Sequence, residues 1–309
     1  MQSINDCFLK VKSDCFKYIS SQETKSQKFK NKEKMIRSFL IPVSFWIASK
    51  TKNKKPFIVG IGGGQGTGKT TITSIISIIL KKYFNLNVFK ISIDDFYKTR
   101  KERILLSKKV HPFLRTRGVP GTHDTNFIFK FFKRVKSNKF RALKFPKFNK
   151  SIDDRYKKKA WYLIKKRPDV IIFEGWCVGA KAEKNNTLYK PINSLEKLND
   201  KKLIWRSFVN QQLKSKYKKL YKQLNCLLYL KAKNFSLLQK WRIKQEKKLL
   251  LKFKKNKNLK IMNKEEVVKF MQTYQRITQN MFKEAPKYAW IIFNLNNNHQ
   301  IKSIDFKKK

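Results

Sequence analysis

The sequence predicts an α/β fold, a three-layer α/β/α arrangement around a mainly parallel sheet, and three observations carry that expectation. From residue 55 onward, short β-branched apolar runs alternate with longer segments whose apolar residues recur at helical spacing. The first run, Phe57-Ile58-Val59-Gly60-Ile61, leads into a glycine-rich turn and then into a helical face of Ile72, Ile75, Ile76, Ile79, Leu80 and Tyr83. Two later runs end in acids, Val88 to Ile93 before Asp94-Asp95 and Val170 to Phe173 before Glu174. Ligands of open α/β sheets bind beyond the carboxyl ends of the strands, so these acids face the same crevice as the turn.

The turn itself, Gly63-Gly64-Gln65-Gly66-Thr67-Gly68-Lys69-Thr70, reads G-x-x-x-x-G-K-[ST] in its proper strand-to-helix setting. Glycines let the backbone curl its N–H groups toward phosphate oxygens, and the helix N-terminus adds a positive partial charge. Gly63 through Thr71 are therefore the expected ATP-binding residues of a P-loop NTPase fold. Lys69 is expected to reach the β- and γ-phosphates, and the Thr70 hydroxyl to ligate Mg²⁺. Glu174, at the end of a Walker B-like strand, is the expected second metal-side group.

The remaining elements follow in order. Residues 1–54 read as an N-terminal helical extension: 1–34 loosely held, 35–49 a short helix with Pro42 in its first turn that packs on the core, and Lys50 to Lys55 a polar linker. Residues 55–309 form the P-loop domain. Thr122 to Thr125 precedes a helix bearing Phe127, Phe131 and Val135, and residues 139–168 leave the sheet as an extended run and a polar loop holding Asp153, Asp154 and Arg155. Residues 180–224 are helical and Lys-rich, and Asn225 to Leu230 is a strand. Residues 234–253 form a basic helix containing Lys240, Arg242 and Lys244. An amphipathic helix carries Val267, Met271, Tyr274, Thr278 and Met281, and Ala289 to Leu295 is the last strand.

The chain has 309 residues and a formal net charge of +54. Of its 74 basic residues 12 are Arg and 62 are Lys, spread along the chain beside abundant Asn, Ile and Phe. That spread reads as the codon bias of an AT-rich genome, with sequence-blind affinity for polyanions as a by-product, and RNA binding is the minor alternative. Cys7, Cys15, Cys177 and Cys226 show no C-x-x-C pairing and read as free thiols. No apolar run approaches the roughly 20 residues of a membrane span and the N-terminus does not read as a signal peptide, so the expected location is cytoplasmic.

A GTPase would need N-K-x-D, and Asn149-Lys150-Ser151-Ile152-Asp153 has one residue too many; the L-S-G-G-Q signature of transporter ATPases is also missing. What remains resembles a known group. Gly60 to Thr71, Ser92-Ile93-Asp94-Asp95-Phe96-Tyr97, Arg117-Gly118-Val119-Pro120-Gly121-Thr122-His123-Asp124 and Phe173-Glu174-Gly175-Trp176 look like the D-glycerate 3-kinase family and its kinase-like relatives. These stand with phosphoribulokinase, uridine kinase and pantothenate kinase, and the resemblance runs from about Lys55 to Glu246. It implies an ATP- and Mg²⁺-dependent kinase acting on a small anionic acceptor, glycerate first, with a sugar, nucleoside or pantothenate-like acceptor as the alternative. It also implies that Asp94 takes the acceptor's hydroxyl proton. Asp95, Arg115, Arg117 and His123 are the expected acceptor-side residues, because arginine's planar fork matches a carboxylate and codon drift toward lysine does not explain arginines there. Lys69, Asp94 and Arg242 are the expected catalytic set, Arg242 as a lid over the phosphates.

Overall fold

A computed structural model describes residues 3–24, 28–51, 55–252 and 262–307, with the side chains of 249, 251 and 252 left aside. Residues 52–54 of the expected linker and residue 253 of the basic helix fall outside that set. The central sheet has six strands: β1 (Phe57–Gly63), β2 (Val88–Ser92), β3 (Val170–Gly175), β4 (Cys226–Lys231), β5 (Ile291–Leu295) and β6 (Ile301–Phe306), in the order β6-β5-β4-β1-β3-β2. The first five lie parallel, and β6 returns antiparallel to β5. β1 is flanked by parallel neighbours on both sides, which is why its sequence is continuously apolar.

Helices cover both faces. On one side α1 (Ile4–Gln22), α2 (Ile41–Ser49) and α3 (Lys69–Lys82) share a core with Val59, Ile61, Leu228 and Phe293. On the other, α4 (Arg100–Lys109), α5 (Thr125–Val135), α6 (Ile204–Gln212) and part of α8 (Lys264–Tyr288) pack near Ile58, Ile171, Phe173 and Tyr229. α7 (Phe235–Lys252) lies along α8.

Two expectations are corrected. The N-terminal segment is not loosely held: α1 opens with a full Ser3–Asp6 capping box and buries Cys7, Val11, Cys15 and Ile19 completely. Its apolar residues are sparse among Lys and Ser, yet they fall at i, i+4, i+8 and i+12, a narrow stripe that suffices once α3 supplies the opposing face. β6 was also not expected, since Ile301, Ile304 and Phe306 are diluted by Lys, Ser and Asp, as befits an edge strand with one wet face. Residues 35–49 are helical as read, but Met35–Leu40 winds as a π-turn before α2. The excursion after α5 consists of two small antiparallel ribbons, Leu143–Phe145 with Tyr162–Ile164 and Phe148–Asn149 with Asp154–Arg155.

Candidate active site

β1 delivers the glycine-rich turn at the carboxyl edge of the sheet, and Gly68 (φ +83°) hands the chain to α3 at Lys69. Lys69 Nζ donates to the carbonyls of Gly63 at 2.8 Å and Gly64 at 3.0 Å, so its ammonium sits over the loop. Burial pulls the Lys69 ammonium down in pKa, and the carboxylates of Glu174 and Asp94 oppose that effect. α7 lies directly on the loop. Gly66 adopts the left-handed φ of +80° that favours glycine, and an added Cβ would come within 3.2 Å of Trp241 Cβ, closer than an ordinary contact. His299, in the β5–β6 turn, stacks on Trp241 with ring centroids 4.2 Å apart and closes the outer side of the loop.

Asp94 and Asp95 follow β2 on a short 3₁₀ turn capped by Ser92, whose hydroxyl accepts from the Asp94 amide at 3.2 Å. The Asp94 carboxylate pairs with Lys150 Nζ at 2.7 Å. Burial would raise the Asp94 carboxyl, but the Lys150 charge and hydrogen bond, with His123 and Tyr97, hold it below the usual carboxylate range. Asp95 faces the other way. Its Oδ1 accepts from the Phe148 amide at 3.4 Å, and burial pushes its carboxyl up to about 6 despite backbone donors from Phe148 and Ser92. Glu174, paired in register with Ser92 across β3 and β2, is raised by burial and countered by Lys69.

Mg²⁺ takes oxygen ligands, keeps several waters and needs only one or two carboxylates beside nucleotide phosphates. Thr70, exposed at the start of α3, and Glu174, a half-buried carboxylate whose pKa is raised by desolvation, are donors of that kind, with Asp94 within electrostatic reach, so the residues fit such an ion.

The residues expected on the acceptor side divide. His123 is 1% exposed, stacked on Tyr97 with ring centroids 4.4 Å apart, and within electrostatic reach of Asp94. Arg117 pairs with Asp153 and lies 5.5 Å from the centroid of the Phe148 ring, with 28% of its side chain exposed. Arg115 is exposed and engages through its carbonyl; the structure does not bring its side chain into the cluster, because the 3₁₀ turn Pro112–Arg115 aims it outward. Arg242 pairs with Glu246 one turn on, and its Nε is buried without a partner.

Several residues escaped the sequence reading. Lys150 is one lysine among 62, so composition hid it. Tyr97 bears on the Asp94 carboxylate and Ser92 on the Glu174 carboxylate, both helping to hold those acids ionised. Arg103 carried the one usable signal, an arginine in a lysine-rich helix. It is fully buried and donates to Lys98 O, Arg115 O and Asp153 O while pairing with the Asp153 carboxylate, thereby tying three segments of the acceptor side together.

No family model matches the chain. It is 30% identical over 251 residues to an uncharacterised kinase, mug58, of Schizosaccharomyces pombe, an alignment covering 79% of this chain and 83% of that one. It is 28% identical to the chloroplastic D-glycerate 3-kinase of Arabidopsis thaliana over 67% of this chain and 47% of that protein, so it spans about half of that relative's length. Among solved structures, D-glycerate 3-kinase from Cryptococcus neoformans superposes with a TM-score of 0.71 at 22% identity, covering 87% of this chain and 97% of that one. A relative of that identity and coverage, matched to a phosphate-binding loop in its full structural setting, shows that this chain belongs to the family of P-loop kinases that includes D-glycerate 3-kinase.

Proposed function

We propose that this P-loop kinase transfers the γ-phosphoryl group of ATP to a hydroxyl of D-glycerate, giving 3-phosphoglycerate. The observation that carries this reading is the Asp94–Lys150 pair, a carboxylate with a fixed cation, within electrostatic reach of Lys69 and Glu174. In it, Asp94 orients the acceptor hydroxyl and takes its proton as the oxygen forms a bond to the γ-phosphorus. The bond to the bridging β–γ oxygen breaks, and ADP departs. Such reactions depend on positioning and charge stabilisation more than on covalent help from the protein.

Lys69 neutralises the phosphoryl oxygens from the donor side and Lys150 from the acceptor side. Arg242, over the loop on α7, adds charge there. Thr70 and Glu174 would hold Mg²⁺, which supplies further charge neutralisation at the phosphates. Two features favour a small anionic acceptor. Lys150 pairs with Asp94 and the partly exposed Arg117 adds positive charge within electrostatic reach of Lys150, and proteins named D-glycerate 3-kinase match this chain, one in sequence and one in fold. Purified protein with Mg·ATP is tested against D-glycerate, pantothenate, nucleosides and phosphosugars. Turnover of glycerate at least a hundredfold above the others in kcat/KM is expected. Preferential turnover of another acceptor, or specific RNA binding without turnover, refutes the assignment.

A further inference from the structure

His123 holds a feature that the kinase reading leaves unexplained. Its Nε2 is buried and has no hydrogen-bond partner, although the ring is locked from several sides. Tyr97 stacks on it at 4.4 Å and 19°. The backbone around it is pinned by Lys98 N donating to Thr122 O at 2.9 Å and by Asp124 N donating to Phe96 O at 2.8 Å. Its other nitrogen, Nδ1, lies 2.6 Å from Tyr217 Oη. Buried polar groups are almost always satisfied, so an orphan ring nitrogen in a candidate site calls for a physical reason.

Tyr217 decides which nitrogen carries the proton. The residue ends the π-turn Leu213–Tyr217 and is fully buried. Its oxygen accepts from the Gly121 amide at 3.1 Å. Among the described residues the hydroxyl has one further hydrogen-bond partner, His123 Nδ1, so the buried phenol proton finds its acceptor there. Nδ1 is then unprotonated, and the proton of the neutral ring resides on Nε2. Burial, which pulls His123 down to about 4, keeps the ring neutral at physiological pH.

We infer that Tyr217 is a positioning residue that fixes His123 in its Nε2–H tautomer, leaving that N–H as the donor for a carboxylate or hydroxyl oxygen of the phosphoryl acceptor. The inference rests on the kinase reading for the identity of the acceptor, but not for the tautomer. Tyr217 lies at the end of a π-turn, an irregularity frequent at functional sites.

The chain has three histidines, so selective ¹⁵N labelling of their rings gives a readable spectrum. In the unmodified protein without ligand, His123 is expected as the Nε2–H tautomer. D-Glycerate, added with Mg²⁺ and a non-hydrolysable ATP analogue, should shift the Nε2 resonance more than Nδ1. Tyr217→Phe should mix the tautomers and raise the acceptor KM about tenfold, with kcat and the ATP KM held within about twofold, as expected for one net hydrogen bond. His123→Gln, which retains an N–H donor, should lose less acceptor affinity than His123→Leu. An Nδ1–H tautomer in the unmodified protein overturns the inference. So does an Nε2 resonance blind to an acceptor that the protein phosphorylates, which would mean that a buried water alone fills the site. Failure to phosphorylate glycerate while the tautomer is as stated overturns the substrate assignment instead.

Discussion

Arg103→Met removes a guanidinium that is wholly shielded from water and joins three segments around Asp94. Met fills much of the same volume, so the effect isolates the polar contacts rather than a cavity. Three carbonyls, Lys98 O, Arg115 O and Asp153 O, lose a donor, and the Asp153 carboxylate keeps Arg117 as its partner. Breaking a buried pair costs about 3–5 kcal/mol. The Asp153 side chain is 36% exposed and recovers hydration, which places the loss near the lower end, about 3 kcal/mol. Most of a typical folding free energy of about 5–15 kcal/mol survives that loss, so the variant should fold. Urea denaturation measures it as a lower midpoint at unchanged slope. Steady-state kinetics should show the acceptor KM raised about tenfold or more while the ATP KM stays within about twofold, because the loosened segments belong to the proposed acceptor side and not to the loop at Gly63 to Thr70. A loss under about 1 kcal/mol with both KM values unchanged would refute the view of Arg103 as a clamp.

Asp94→Asn should lower kcat by about 10²–10⁴-fold with nucleotide binding retained by calorimetry, and near-normal turnover would remove Asp94 from its role. Arg242→Ala should reduce kcat about a hundredfold with little change in ATP KM, whereas a loss confined to thermal stability would make the arginine part of the α7 scaffold. Asp95, held up to about 6 by burial, binds its proton more tightly folded than unfolded, so its contribution to stability falls as pH rises from about 4 to about 6. Asp95→Asn, which keeps an oxygen for the Phe148 amide, should therefore match the unmodified protein near pH 4 and exceed it in urea midpoint above pH 6. A pH-independent difference would mean that Asp95 titrates normally.

The donor half of the site was legible because local geometry specifies it. A loop that wraps phosphate needs glycines at fixed offsets, with a buried strand before it and a helix after it, and all three leave marks within about thirty residues of one another. Asp94 and Glu174 were legible for a related reason: strand-end acids on a parallel sheet share the carboxyl edge whatever the strand order. The family followed from four such segments together. The acceptor half is different. Lys150 meets Asp94 across 56 residues, Arg103 meets Asp153 across 50, and Tyr217 meets His123 across 94. Nothing local requires any of these pairings. In a chain with 62 lysines, no charge pattern marks the one that faces a carboxylate. The same holds for α1, whose thin apolar stripe acquires meaning only when α3 is packed against it. Sequence alone thus determined the five parallel strands, the phosphate loop and the strand-end carboxylates, because backbone conformation and hydrophobic period are short-range properties. Only the tertiary structure decided which cations and ring nitrogens surround Asp94, because those contacts are set by how distant loops fold back over the carboxyl edge of the sheet.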